Sequence, residues 1–173
     1  EKTAMIEPGM DVLIHAGAGG VGAFAIQYSK FCGAKVFATA SEANVDFVTQ
    51  LGADEVINYR TVDFRDVLSN LDVVYDTMGG ATHLKSYDVL KSGGLLVCLN
   101  AEPLPDETPR EDIRVEIPLV EYDRAGVNRI VELLRVKAVQ PSVSAVFALS
   151  DAIDAYKLSE TTHAKGKIVL SIK

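Results

Sequence analysis

The stretch DVLIHAGAGGVG, residues 11–22, decides how this chain folds. Its first five residues predict a short buried strand, and GAGGVG at 17–22 follows at once and matches the pattern G-x-G-x-x-G. In such a unit the first glycine permits a tight turn, the second lets the backbone approach a pyrophosphate, and the third lets helix and strand pack closely. Unpaired N–H groups at the start of the following helix attract phosphates. The strand before the glycines and the helix predicted at 21–31 favour a dinucleotide site over an ordinary turn.

Short β-rich runs alternate with helical stretches along most of the chain, which is typical of a parallel sheet with crossover helices. Further strands are predicted at 35–39, 55–57, 71–75, 95–99 and 113–117, and helices at 44–51, 64–69, 84–90 and 124–136. The pattern predicts an α/β, Rossmann-type doubly wound parallel sheet of about six strands with helices on both faces. Three prolines within 101–110 predict a loop. Residues 1–140 are expected to form the nucleotide-binding domain, and 141–173 a separate strand–helix–strand segment.

Composition excludes several classes of partner. A net charge of −7 with scattered Lys and Arg disfavours nucleic acid. The chain has no run of roughly 20 apolar residues, so we expect no membrane span. Cys32 and Cys98 lie in apolar sequence and predict buried thiols of a cytoplasmic protein. No cluster of Cys, His and carboxylate residues has the spacing of metal ligands along the sequence, so we expect no bound metal. Glu1 in place of an initiator Met leads us to expect a missing upstream segment.

The end of the second predicted strand bears on which nicotinamide cofactor is bound. NAD sites usually carry Asp or Glu there, but this chain has Ala40. Ser41 and Asn44 are able to donate hydrogen bonds to a 2′-phosphate, which favours NADP. Glu42 and the absence of Lys and Arg from residues 36–59 favour NAD instead. Alternatively, Ser41 and Asn44 only cap the following helix, and this role is compatible with either cofactor.

Several ordered motifs make the chain resemble the medium-chain dehydrogenases/reductases, in particular their zinc-free quinone oxidoreductase branch. The matching stretches are VLIHAGAGGVG at 12–22, LGADEVINY at 51–59, DVVYDTMGG at 72–80, LKSGG at 90–94 and HAKGKIVL at 163–170. The resemblance implies a six-stranded NADP(H)-binding domain docked on a GroES-like catalytic domain, to which residues 141–173 would return. It also implies an NADPH-dependent reductase of quinones or α,β-unsaturated carbonyl compounds, with homodimerisation through the sheet edge near residues 113–117.

The resemblance assigns cofactor contacts by motif. The pyrophosphate would be held by the glycine loop, the 2′-phosphate by residues after the second and third strands, and the nicotinamide half by residues after the fourth and fifth. These residues are Gly17, Ala18, Gly19, Gly20 and Val21 for the pyrophosphate, Ser41, Asn44 and Tyr59 for the 2′-phosphate, and Thr77, Leu99 and Asn100 for the nicotinamide half.

No residue has a motif-based claim to be the proton donor. His15 is interpreted as a core histidine, and Asp76 and His83 as surface or turn residues. An alternative function is therefore a non-catalytic NADP(H)-binding module, acting as a redox sensor or interaction domain. A nucleoside-binding methyltransferase would fit the first strand and loop, but not HAKGKIVL at 163–170.

Overall fold

A computed structural model of the chain describes residues 3–99, 109–118, 123–161 and 165–172. Six parallel strands form the main sheet in the order β3-β2-β1-β4-β5-β6. The strands are β1 Asp11–Ile14, β2 Lys35–Ala40, β3 Glu55–Asn58, β4 Leu71–Asp76, β5 Leu90–Cys98 and β6 Arg114–Glu116. The helices are α1 Gly20–Phe31, α2 Val45–Gln50, α3 Gly80–Val89, α4 Arg124–Arg135 and α5 Ala152–Glu160. The predicted fold class is confirmed, including the number of strands.

Apolar side chains of the sheet point alternately to two faces, and each face has its own core. Val12 and Ile14 pack with α1 residues in one cluster. Leu13, between them, packs with Phe64 and Tyr87 in the other. Strands buried on both faces are nearly continuous apolar runs, which is why these segments read as strands without polar alternation.

Two predicted boundaries in the middle of the chain are wrong. Helix α3 begins at Gly80, four residues before the predicted start at 84, and Gly79 precedes it with φ 79°. The pair Gly79-Gly80 turns the chain directly into the helix. Strand β5 begins at Leu90, before the Ser92-Gly93-Gly94 turn, since Leu90 already pairs with Leu71 of β4.

The C-terminal part forms a second, smaller sheet. Strands β7, Val143–Ala148, and β8, Lys167–Ser171, pair in parallel and are joined through α5. The side-chain amide of Gln27 exchanges two hydrogen bonds with the backbone of Gln140. These bonds tie α1 to the segment before β7. Within the described ranges no helix is long and apolar enough to cross a membrane.

Candidate cofactor-binding cleft

The site forms where the strand order reverses. From β1 the chain moves through β2 to β3 on one side, then returns to β4 on the other side of β1. In open parallel sheets, ligands bind outside the carboxyl ends of the strands at this switch point. A cleft of about 680 Å³ lies there. Its lining includes Thr39, Tyr59, Arg60, Met78 and Lys85.

The glycine loop is shaped by close packing more than by glycine's backbone freedom. The residue with left-handed backbone is Ala16, φ 49°, and not Gly17 as expected for the tight turn. A Cβ on Gly17 would lie 3.0 Å from Ile26 Cδ1 and 3.1 Å from Ala38 Cβ. A Cβ on Gly22 would lie only 2.3 Å from the Ala16 carbonyl oxygen. The predicted role of Gly22 in close helix–strand packing therefore agrees with the geometry.

The N-terminus of α1 has no side-chain cap, and the Lys167 side chain lies beside its first residue, Gly20. Gly19 is its N-cap and has no side chain to satisfy the first N–H groups, which have no partners within the helix. The N–H of Gly19 donates to Ala16 O at 2.9 Å, and that of Ala23 to Gly19 O at 2.8 Å. The first turn of α1, with Gly20 and Val21, lies next to Gly166 and Lys167, and its positive dipole end is where a phosphate would bind.

The corner after β2 carries polar side chains that are not used as caps. Strand β2 ends at the buried Ala40, so the usual carboxylate position of NAD sites holds a methyl group. Ser41 and Asn44 are N-cap residues by position, yet neither side chain makes a capping hydrogen bond. Glu42 Oε2 accepts a hydrogen bond of 2.8 Å from Asn58 Nδ2. The interpretation of Ser41 and Asn44 as caps alone is therefore not supported.

Tyr59 follows β3 and is 55% exposed. The Arg60 guanidinium lies 6.0 Å from the centre of its ring. Both residues line the cleft. Strands β2 and β3 are parallel, and Tyr59 donates its N–H to Ala40 O at 3.2 Å, so Tyr59 lies at the same edge of the sheet as Ser41.

The residues assigned to the nicotinamide half lie in two places, at the switch point and in a groove between α1 and α4. Thr77 Oγ1 donates a hydrogen bond of 3.0 Å to His15 O, which joins the ends of β1 and β4 at the switch point. Leu99 donates its N–H to Asp76 O and lines a groove between α1 and α4. Asn100 lies outside the described residues.

His15 is a core histidine, as the sequence indicated. It is 1% exposed, and its Nε2 lies 3.1 Å from Ser86 Oγ, whose proton is donated to Thr82 O. Nε2 therefore carries the ring proton, and Nδ1 accepts from Thr39 Oγ1 at 3.2 Å. Burial lowers the pKa of His15 to about 4, so the ring is neutral at physiological pH.

Asp76 and His83 are not surface residues, which corrects the sequence interpretation. They are 0% and 2% exposed, and His83 Nδ1 donates to Asp76 Oδ2 at 3.0 Å. Asp76 Oδ1 accepts the N–H groups of Met78 and Gly79 at 2.9 and 2.8 Å, which fixes the turn between β4 and α3. Asp76 ends β4 and His83 lies on α3, seven positions later. Neither the strand period nor the helix period spans such a junction, so the sequence gave no sign of this contact.

Cys98 completes this buried cluster. Its Sγ lies 3.7 Å from His83 Nδ1, and burial, with the nearby Asp76 charge, raises the pKa of the thiol to about 12. Cys98 is buried as predicted, whereas Cys32 at the end of α1 is only partly buried.

A model of the family described as zinc-binding dehydrogenase matches residues 51–170 of this chain. A mitochondrial NAD(P)H oxidoreductase of Danio rerio is 34% identical over 93% of the chain. An NADPH-dependent alkenal/one oxidoreductase of Arabidopsis thaliana is 33% identical over 94% of it. The solved structure of the quinone oxidoreductase from Coxiella burnetii superposes with a TM-score of 0.86, at 34% identity and covering 98% of this chain.

The chain spans about half the length of these proteins. It covers 49% and 40% of the two relatives and 55% of the Coxiella structure.

The family description raises the question of zinc. Among the described residues, Asp76, His83 and Cys98 form a group whose ligand atoms lie within 4.8 Å of one another. This group does not fit a catalytic zinc, which needs an open coordination position. All three side chains are buried, and both Asp76 oxygens already accept hydrogen bonds. The sequence-based prediction of no metal in this chain stays a prediction.

Proposed function

This chain belongs to the zinc-binding dehydrogenase family, and we propose that it is the NADPH-binding half of a zinc-independent oxidoreductase. The proposed substrates are quinones or α,β-unsaturated carbonyl compounds. The observation that carries the proposal is the N-terminus of α1 at the switch point, which has no side-chain cap, has Lys167 beside it and is preceded by the glycine loop. The names of the Danio and Arabidopsis relatives, an NAD(P)H and an NADPH-dependent oxidoreductase, support the choice of cofactor.

The residues at the cleft fit an NADP cofactor. The first N–H groups of α1 would hold the pyrophosphate, with Gly17, Ala18, Gly19 and Gly20 allowing its approach. Ala40 leaves space and no negative charge where a carboxylate would repel a 2′-phosphate. The side chains of Ser41 and Asn44 make no capping hydrogen bond, so the Ser41 hydroxyl and the Asn44 amide would donate hydrogen bonds to the 2′-phosphate.

Bound NADPH would supply a hydride to the substrate, and the protein would supply orientation and a polar environment. Thr77 joins β1 to β4, and Asp76 and His83 fix the turn that follows. These contacts would hold the nicotinamide side of the cleft in one shape.

The division of the chain is also part of the proposal. Residues 1–140 would form the NADP-binding domain, and 141–173 would complete a GroES-like catalytic domain supplied by further sequence. Support comes from the exposed apolar side chains of the second sheet, including Val146 at 64% and Ile172 at 83% exposure. The length of the relatives is consistent with this division.

We further propose a homodimer that pairs through β6, since this strand lies at one of the two edges of the sheet. Light scattering should give twice the chain mass, and Val115→Pro, which removes a backbone N–H from β6, should shift it toward the monomer. A monomeric wild-type protein would contradict this part. A cytoplasmic location is proposed from the two free thiols and is tested by cell fractionation.

The test of the function is oxidation of NADPH by the protein as its gene encodes it, followed through the absorbance of the reduced nicotinamide. A panel of quinones and enones serves as acceptors, and NADH as the matched control. Turnover with at least one acceptor, faster with NADPH, is the expected result.

Tight NADPH binding without turnover on any acceptor would favour the non-catalytic module instead. One observation favours that alternative: His15, Asp76 and His83 are buried and hydrogen-bonded to other groups, which makes them poor proton donors.

A further inference from the structure

The corner that would bind a 2′-phosphate lacks a cation in its own stretch of sequence. Residues 36–59 contain no Lys or Arg. A phosphate of charge near −2 is bound most strongly by charge-assisted hydrogen bonds, and neutral donors such as Ser41 and Asn44 supply only weaker ones. Glu42 adds a negative charge to the same turn. Arg60, one residue past this stretch, has its guanidinium 6.0 Å from the centre of the Tyr59 ring, so a positive group at the turn Glu42–Asn44 itself has to come from elsewhere in the chain.

The structure brings one there from far along the sequence. Lys165 Nζ lies 3.2 Å from the carbonyl oxygen of Ala43, 122 positions away. It also lies 6.0 Å from the centre of the Phe47 ring. Ala43 is the middle residue of the short turn Glu42–Asn44, between Ser41 and Asn44. We propose that Lys165 binds the 2′-phosphate of NADPH and thereby selects it over NADH, an inference that rests on the proposed function.

The backbone beside Lys165 is held against the glycine loop. Gly166 N donates to Ala18 O at 2.9 Å, and Gly166 pairs with Gly19 as a parallel bridge. Gly166 has φ 78°, and a Cβ there would lie 2.3 Å from Ser142 O. Only glycine fits this position, so the backbone of the neighbouring Lys165 is held at a fixed point beside the glycine loop. From there its side chain extends to the turn Glu42–Asn44 after β2, the β2 corner.

The charge of Lys165 is available to a ligand. The two contacts found for its ammonium among the described residues are a carbonyl oxygen and a ring face, and neither is an anion. The Glu42 carboxylate, the nearest acidic group in the turn, accepts its hydrogen bond from Asn58. The side chain is exposed, so an incoming phosphate would replace water and one carbonyl contact without breaking an ion pair.

The experiment measures dissociation constants of NADPH and NADH by calorimetry for the protein as its gene encodes it, and for three variants. Lys165→Gln removes the charge and keeps the length of the side chain, and Lys165→Arg keeps the charge. Lys157→Gln is the matched control, since Lys157 is an exposed lysine on α5 that pairs with Asp154.

We expect Lys165→Gln to weaken NADPH binding by about 10- to 100-fold, the worth of a hydrogen bond to a charged group, and to leave NADH within about twofold. Lys165→Arg and Lys157→Gln should both keep NADPH within about threefold of wild type. Adenosine 2′,5′-bisphosphate should show the same loss as NADPH, and adenosine 5′-monophosphate should show none.

The failure of the inference is distinct from failure of the proposed function. If wild type prefers NADPH and Lys165→Gln keeps that preference, Lys165 has no role in selection and the inference alone is wrong. Equal weakening of NADPH and NADH in Lys165→Gln would also overturn it, because the effect would then be structural. If wild type binds neither NADPH nor the bisphosphate, both the proposed function and the inference are wrong.

Discussion

Strands β2 and β7 are similar in composition and opposite in burial. Each has six residues, KVFATA in β2 and VSAVFA in β7, and each contains two alanines, a phenylalanine, one hydroxyl residue and at least one valine. Five of the six residues are buried in β2, and none in β7. Val36 of β2 is 0% exposed and Val146 of β7 is 64% exposed. Strand-forming composition thus indicates the conformation of a segment, but the layers packed against it decide its contribution to stability.

This difference in burial matters for function because the six-stranded sheet and the small sheet would have different roles. The six-stranded sheet holds both cores and the cofactor cleft, so it should carry most of the folding energy. The segment just before β8 places Gly166 against the glycine loop and Lys165 against the turn after β2, and the small sheet keeps an exposed apolar surface.

The largest expected effect is a matched pair of truncations in these two strands. Phe37→Ala in β2 should lower the free energy of unfolding by about 3–5 kcal/mol, since Phe37 is 5% exposed. Phe147→Ala in β7 should cost less than half as much, because Phe147 is only partly buried. Urea unfolding followed by circular dichroism measures both. Similar losses at the two positions would mean that the small sheet is as well packed as the large one.

A smaller effect is expected from the glycine loop. Gly22→Ala would place a Cβ 2.3 Å from Ala16 O, a backbone atom that cannot move without shifting β1 or α1. We expect a loss of about 1–3 kcal/mol in stability and at least about tenfold in NADPH affinity.

Gly126→Ala in the first turn of α4 is the control for that substitution. Its Cβ would meet only the end of the Asp123 side chain, at 3.1 Å. A change of less than about 1 kcal/mol is expected there, because alanine favours helices. If Gly126→Ala proved as damaging as Gly22→Ala, close packing at the loop would not be the reason for the glycine.

The smallest effect concerns pH. Burial lowers the pKa of His15 from 6.5 to about 4, so the unfolded chain binds a proton between these values that the folded chain excludes. Stability should therefore be fully present above pH 6.5 and fall as the pH drops toward 4, by about 2 kcal/mol between pH 7.5 and 5. His15→Gln should lose most of this dependence, although it is less stable at pH 7.5. An unchanged slope in the variant would show that other groups cause it.

The sequence predicted the fold well, because the fold depends on local signals. The apolar run at residues 11–15 and the glycines after it gave the strand, the loop and the helix, and Ala40 fell at the end of β2 as predicted. Side-chain roles assigned from the resemblance, such as those of Ser41 and Tyr59, remain predictions, although the structure brings these residues to one edge.

Contacts between distant segments could not be predicted. Lys165 reaches the β2 corner only because Gly166 is bound to Ala18, a pairing with no periodic signature. The hydrogen bond between Asp76 and His83 depends on where α3 starts, and the glycine pair Gly79-Gly80 hid that start. The left-handed backbone at Ala16 was also missed, because such a conformation is expected at glycine.

The central claim is that this chain binds NADPH at the glycine loop and the β2 corner. Its most direct test is calorimetric titration of the wild-type protein with NADPH and, separately, with NADH. Micromolar binding of NADPH and much weaker binding of NADH is the predicted result. A preference for NADH would contradict the account and point to Glu42 as the residue that binds the ribose.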